Sequence, residues 1–295
     1  MFKKLLVGLS LVLVVLGLAV TNVKAVPEAV DLIFVVDESG SMGGEHTWLS
    51  QMVEDLEQAL LNVGVGTTIP NRYALVGFGG DNTHEPGHKH LVGGGDWGDV
   101  NDIKNAFSSL LTNGLTEDGY DGMEVALTEY DFRANAAVNV ILVTDEDRDV
   151  LDRNLDYNSI LSLFQQKNAL LNVVVNHTFF NSDNTQRALG ITSSSSFIAD
   201  GTGGYTEDTN GYILGSGYGT TYDDYVALAL ALDGAAWDLN ILRSGGLDAT
   251  SFTKAFIDIK VQEIQQQQPI PEPSTVILIG VGLGALGFYR LRKKN

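Results

Sequence analysis

Asp37-Glu38-Ser39-Gly40-Ser41 places a carboxylate and two hydroxyls at alternate positions of one short stretch. Alternation in an extended or turning chain sends those three side chains to the same side. Gly114-Leu115-Thr116 offers a third hydroxyl at Thr116, and Thr144-Asp145 a second carboxylate at Asp145. All five are oxygen donors, the ligand type that hard divalent cations prefer. With water they complete an octahedral shell suited to Mg²⁺, and Ca²⁺ or Mn²⁺ use the same chemistry. Few anionic ligands leave such an ion electrophilic, able to take a carboxylate from a partner. Two plainer roles fit the same residues: a metal that only stabilises the fold, or no metal, with the side chains forming turns and helix caps.

The flanking segments must bring these three loops together. Asp31–Val36 and Val138–Val143 are short apolar runs rich in β-branched residues, the pattern of strands buried on both faces. Tyr73–Phe78 and Leu171–Val175 are read as further strands, and a short edge strand is expected near His90–Val92. Leu49, Met52, Val53, Leu56 and Leu60 recur at helical spacing. Helices are also expected over 99–111 with Asp99 as cap, 118–130, 159–169, 223–232 and 251–265. Residues 178–222, rich in Gly, Ser, Thr and Asn, are expected to hold a short helix, one strand near Tyr212–Leu214 and long loops. Strands alternating with helices imply a doubly wound, mainly parallel α/β sheet over about residues 26–264. Ligands of such sheets sit beyond the carboxyl ends of the strands, where Asp37, Ser39, Ser41, Thr116 and Asp145 all fall.

Asp37-x-Ser39-x-Ser41, Thr116 and Asp145, with Phe34-Val-Val-Asp37 and Ile-Leu-Val-Thr-Asp145 around them, resemble the metal-ion-dependent adhesion site of a von Willebrand factor type A (VWA) domain, a Rossmann-like fold. The resemblance implies that Ser39, Ser41 and Thr116 touch the metal, that Asp37 and Asp145 act mostly through water, and that a carboxylate of a protein or acidic polysaccharide ligand completes the shell. It implies adhesion, not catalysis. Two features depart from the family pattern. Glu146 and Asp147 stand where many relatives have Gly, with Asp147 a possible substitute for Asp145. The long 178–222 segment has no assigned role.

Both ends look like addresses. Lys3 and Lys4, the apolar run Leu5–Val20 and Val23-Lys24-Ala25 form a secretory signal-peptide pattern over 1–25, cleaved after Ala25 or Ala19, or retained as an anchor. At the other end Pro271-Glu272-Pro273, a hydrophobic stretch over 275–289 and the basic residues Arg290, Arg292, Lys293 and Lys294 follow the Gln-rich linker 265–270. That three-part order resembles the PEP-CTERM sorting signal of Gram-negative bacteria. It implies handling by an exosortase, a transmembrane helix as transient or permanent inner-membrane anchor, and a final place in the periplasm, on the cell surface or in extracellular matrix. An ordinary tail anchor has similar parts.

The chain has 295 residues, 18 basic and 37 acidic, for a net charge of −19. Since three lysines lie in the leader and four basic residues in the tail, residues 26–270 carry 11 basic against 36 acidic side chains, a net −25. Such charge repels nucleic acid. Zero cysteine excludes disulfides and thiolate chemistry, so stability must come from core burial. No phosphate loop, dinucleotide fingerprint or nucleophile elbow is present. For a metal-dependent hydrolase, His177 after Leu171–Val175 is the one available base near a strand end. His84, Glu85, His88 and His90 have spacings that can hold zinc, or they face water from a loop or edge strand. Trp97 and Trp237 are read as packing residues.

Overall fold

β1 (Ala29–Asp37) reads AVDLIFVVD and is buried along its whole length. A strand with no polar face needs cover on both sides, so it belongs at the centre of a helix-flanked sheet. In a computed structural model that describes residues 26–81 and 85–267, β1 pairs in parallel with β2 (Arg72–Phe78) on one side and β4 (Ala136–Val143) on the other. β5 (Ala169–Val175) lies parallel beside β4, and β12 (Ala236–Asp238) parallel beside β5. Among the described residues the main sheet closes with antiparallel edges. β3 (His88–His90) pairs with β2 at one end, two residues ahead of the expected edge strand. At the other end β8 (Gly190–Ile191), β9 (Ser196–Ala199) and β10 (Tyr205–Asp208) extend it, giving the order β10-β9-β8-β12-β5-β4-β1-β2-β3. The doubly wound, mainly parallel sheet read from the sequence is therefore the fold. Its strand order reverses between β1 and β4, where such sheets open a crevice.

Alternate residues of β1 serve two cores. Leu32, Phe34 and Val36 meet α1 (Gly43–Asn62), α2 (Val100–Ala106) and α7 (Gly246–Gln266). Ile33 and Val35 meet α3 (Gly119–Thr128), α4 (Tyr157–Lys167) and α5 (Ala227–Ala231). Helices α2, α3 and α4 start at polar caps: Asp99 forms a capping box with Asp102, Asp118 accepts from the Tyr120 N–H, and Asp156 pairs reciprocally with Ser159. Trp237 is fully buried, stacked on Phe197 and edge-on to Phe252 and Phe256. Trp97 is half-buried beneath the Arg72 guanidinium.

The short helix expected within 178–222 is not there. Instead β6 (His177–Asn181), β7 (Arg187–Ala188) and β11 (Tyr212–Gly217) form a second, three-stranded sheet in the order β11-β6-β7, and β8 to β10 fill the rest. β6 shows the reason. Its residues alternate buried and half-buried, period two, and Asn184 takes a positive φ in the turn that folds β7 back on it. The helix expected over 223–232 starts as a π turn at Tyr222–Val226, and α6 (Leu239–Ser244) and β12 are additional. The leader 1–25, His84, the tail motif and its hydrophobic stretch 275–289 lie outside the described residues. Among the described residues no helix is long and apolar enough to cross a membrane.

At the opposite end of β1 from the crevice, buried Asp31 is clamped by Arg72 (Nη2 to Oδ2, 2.8 Å) and Arg133 (Nε to Oδ1, 2.7 Å). The two arginines keep 23% and 28% of their side-chain surface, so they can turn to water if the carboxylate goes. Asp31→Ala should cost about 3 kcal/mol, the low end for breaking a buried pair, measured by urea unfolding with an unchanged slope.

Candidate metal centre

Asp37 ends β1 with its carboxylate fully buried and doubly held. The Ser39 backbone N–H donates to Oδ1 (2.7 Å) and the Thr144 hydroxyl to Oδ2 (2.7 Å). The first bond tightens the turn after β1; the second ties the ends of β1 and β4 across the crevice. From that turn Ser39 Oγ lies 3.1 Å from Ser41 Oγ, and Ser41 Oγ donates to Asp145 Oδ1 (2.8 Å). Four of the five residues singled out in the sequence thus form one hydrogen-bonded chain.

Thr116 arrives by the backbone. Gly114 forms a parallel bridge with Ser39 and accepts from the Gly40 N–H (3.2 Å), while Asn113 and Gly114 both donate to the Glu38 carbonyl. A Cβ on Gly114 would stand 1.4 Å from the Gly79 carbonyl oxygen, so only glycine lets this loop seat against the β1 turn. Thr116 follows two residues later, half-buried.

The structure adds two groups that the sequence reading did not weigh. Glu117 is buried, and its Oε2 has no hydrogen-bond partner. Burial, then the negative charges of Asp37, Glu146, Asp149 and Asp145, push its pKa up to about 8. Asp37 is likewise pushed up to about 7, by burial first, against the lowering effect of the Ser39 and Thr144 bonds. Arg243, from α6, reaches the rim: Nη1 sits 2.9 Å from Asp145 Oδ2, Nε 2.6 Å from buried Glu45, and Nη2 donates to the Ser41 carbonyl. Neither had a local signal. Glu117 stands beside Thr116 but is one carboxylate among many, and Arg243 is far along the chain.

Of the carboxylates after β4, Asp145 faces Ser41, while Asp147 accepts from the Thr220 N–H (3.0 Å) in the turn after β11. His177 is buried, bonded to the Thr178 carbonyl and stacked on Phe179, and burial lowers its pKa. It is packed as a core residue.

The donor set fits a hard divalent cation. Two hydroxyls and Asp145 converge, and a buried, unpartnered carboxylate oxygen lies in a crevice with four further acidic neighbours. Unpaired buried charge of one sign is costly, and a bound cation offsets it.

Comparison with known proteins gives three results. Residues 269–294 match the PEP-CTERM protein-sorting motif. Among curated proteins no sequence matches the chain. Solved structures similar to it include proximal thread matrix protein 1 from the mussel byssus, described with a zinc-occupied MIDAS motif (18% identity, 52% of this chain and 37% of that one, TM-score 0.39). A von Willebrand factor type A protein from Catenulispora acidiphila (17%, 50% and 33%, 0.37) is another, and so is the vWF domain of the type V pili tip protein Mfa5 from Porphyromonas gingivalis (22%, 42% and 40%, 0.32). The matched part spans about two fifths or less of each of these structures. The chain is an exported one that carries the PEP-CTERM sorting motif at residues 269–294 and implies exosortase processing, and von Willebrand factor type A domains are among the structures it is similar to.

Proposed function

We propose that the chain is an exported binding module whose crevice between β1 and β4 holds a divalent cation, Mg²⁺ above Ca²⁺ or Mn²⁺. Ser39, Ser41 and Thr116 hold it directly, and Asp37 and Asp145 hold it through water. The observation that supports this reading is the Ser39–Ser41–Asp145 chain beside the unpartnered Glu117 carboxylate. When bound, the ion supplies a Lewis-acidic position open to an external carboxylate. The protein orients the hydroxyls, fixes Asp37 through Ser39 and Thr144, and leaves Ser41 exposed at the mouth. A net −25 over residues 26–270 repels anionic polymers everywhere else, so a carboxylate of a protein partner or acidic polysaccharide is recognised at the ion alone. The sorting motif supports export, and we read the cell surface or extracellular matrix, after transit through the inner membrane, as the place of this binding.

The test is capture of a carboxylated polysaccharide by the immobilised full chain with and without EDTA. Ser39→Ala should weaken Mg²⁺ binding and capture by about 100-fold or more, with an unchanged circular dichroism spectrum. Capture that persists in EDTA while the melting temperature drops would instead assign the ion a purely structural role in a matrix component. A phosphatase or esterase activity abolished by Asp37→Asn would overturn the non-catalytic reading.

A further inference from the structure

We propose that Glu38, His88 and His90 form a second cation site, distinct from the crevice and selective for a borderline divalent ion, Zn²⁺ in the first place. Glu38 follows Asp37, and its buried carboxylate lies over β2 and β3, away from Ser39 and Ser41. Oε2 stands 3.2 Å from His88 Nε2 and Oε1 3.2 Å from His90 Nε2. The three candidate ligand atoms all lie within 4.8 Å of one another. The two 3.2 Å contacts, one to each carboxylate oxygen, are close to the roughly 3.4 Å edge of a tetrahedron with metal–ligand bonds of about 2.1 Å. His88 and His90 are two apart on β3 and so share a face, opposite Gly77 and Leu75 of β2.

The hydrogen bonds fix the tautomers. His88 Nδ1 can only donate to the Pro86 carbonyl (3.1 Å). Ser109 Oγ spends its one proton on the Ala106 carbonyl (2.7 Å), so its contact with His90 Nδ1 (2.9 Å) is a donation from the ring. A neutral ring at either position therefore turns an Nε2 lone pair toward the carboxylate, the arrangement by which outer partners prepare histidine for a metal. The mismatch of lone pairs is visible: buried Glu38 Oε2 and His90 Nε2 have no hydrogen-bond partner. A cation between them satisfies both. The space exists because residue 77 has no side chain. A Cβ there would sit 2.1 Å from Glu38 Oε2 and 2.7 Å from His90 Nε2. Two imidazoles and one carboxylate favour Zn²⁺ over Mg²⁺. The histidine side chains keep 28% and 13% of their surface, which leaves a side open for entry and a fourth, water ligand.

The experiment is a calorimetric Zn²⁺ titration of the full chain after EDTA stripping, in excess Mg²⁺ so that the crevice is occupied. One Zn²⁺ per chain is expected. His88→Ala and His90→Ala should each weaken it about 100-fold or more, Ser109→Ala about 10-fold, and Gly77→Ala should block it. His90→Gln, which keeps the volume polar, guards against a folding defect and should weaken binding like His90→Ala. Ser39→Ala should leave the event intact. No Zn²⁺ binding in the wild type, wild-type affinity in the histidine variants, or loss with Ser39→Ala alone overturns the proposal. Mg²⁺ binding at the crevice is measured separately, so either site can fail without the other.

Discussion

Stripped of metal, the protein should lose stability as pH rises from about 5 to about 8, and excess Mg²⁺ should offset a large part of that loss. Asp37 titrates at about 7 and Glu117 at about 8 in the fold, against ordinary values of 3.8 and 4.5. Between those limits the native state holds protons that the unfolded chain has released, so stability must fall with pH. The contribution is whole below about pH 4 and disappears as pH climbs through the folded values. One pKa unit corresponds to about 1.4 kcal/mol, so ionising Asp37 alone costs the metal-free fold on the order of 4 kcal/mol. A cation replaces the protons, and its affinity rises with pH because it competes with them. At a hundredfold excess over its dissociation constant it adds about 2.7 kcal/mol, or roughly 5–10 °C in Tm for a domain of this size. Melting curves of EDTA-treated protein across pH, with and without Mg²⁺, check this. Glu117→Gln should remove the upper part of the pH dependence while keeping the Mg²⁺ effect. Parallel curves with and without Mg²⁺ would refute a cation in the crevice.

Much of that crevice was legible in the sequence because its strands are. β1 and β4 end in apolar runs, 32–36 and 140–143, that stop abruptly at Asp37 and at Thr144-Asp145, and a parallel sheet puts such stops on one edge. What pairs across long separations was not legible. Arg243 meets Asp145 and Glu45, and Glu38 meets two histidines about 50 residues on. No periodicity links these positions; the fold alone does. The 178–222 region failed for another reason. Its strands are two to six residues long, too short for alternation to outweigh their Gly, Ser and Thr content. β12, three residues in the middle of the sheet, is recognisable only from its neighbours β5 and β8.

Asp118→Ala should be the most damaging single change outside the core, at about 5 kcal/mol. The sequence marks Asp118 as a helix start, worth about 1 kcal/mol as a cap. The structure gives it a second duty. Its carboxylate holds Arg148 by two bonds (Nε to Oδ1 2.6 Å, Nη2 to Oδ2 3.0 Å) and accepts from the Leu151 N–H. Arg148 keeps only 4% of its side-chain surface and lies over the Tyr120 ring, so it cannot turn to water as Arg72 and Arg133 can. Its loss of a partner therefore falls at the upper end for a broken buried pair, a large share of a stability of about 5–15 kcal/mol. Asp118→Ala with Arg148→Met removes both charges and should recover part of the deficit. That double variant separates folding from function. The pair is the side-chain tie between α3, which follows Thr116, and the loop that follows Asp145. With the tie gone but the sheet intact, Mg²⁺ affinity should drop about 10- to 100-fold, the usual effect of losing a group that orients metal ligands. If the double variant binds Mg²⁺ as the wild type does, alignment comes from the remaining bonds, such as Asp149 N–H to the Glu117 carbonyl at 2.8 Å and Glu117 N–H to Asp149 Oδ2 at 3.1 Å. Calorimetry on that one protein decides whether the crevice is positioned by its buried ion pair or by the bonds that remain without it.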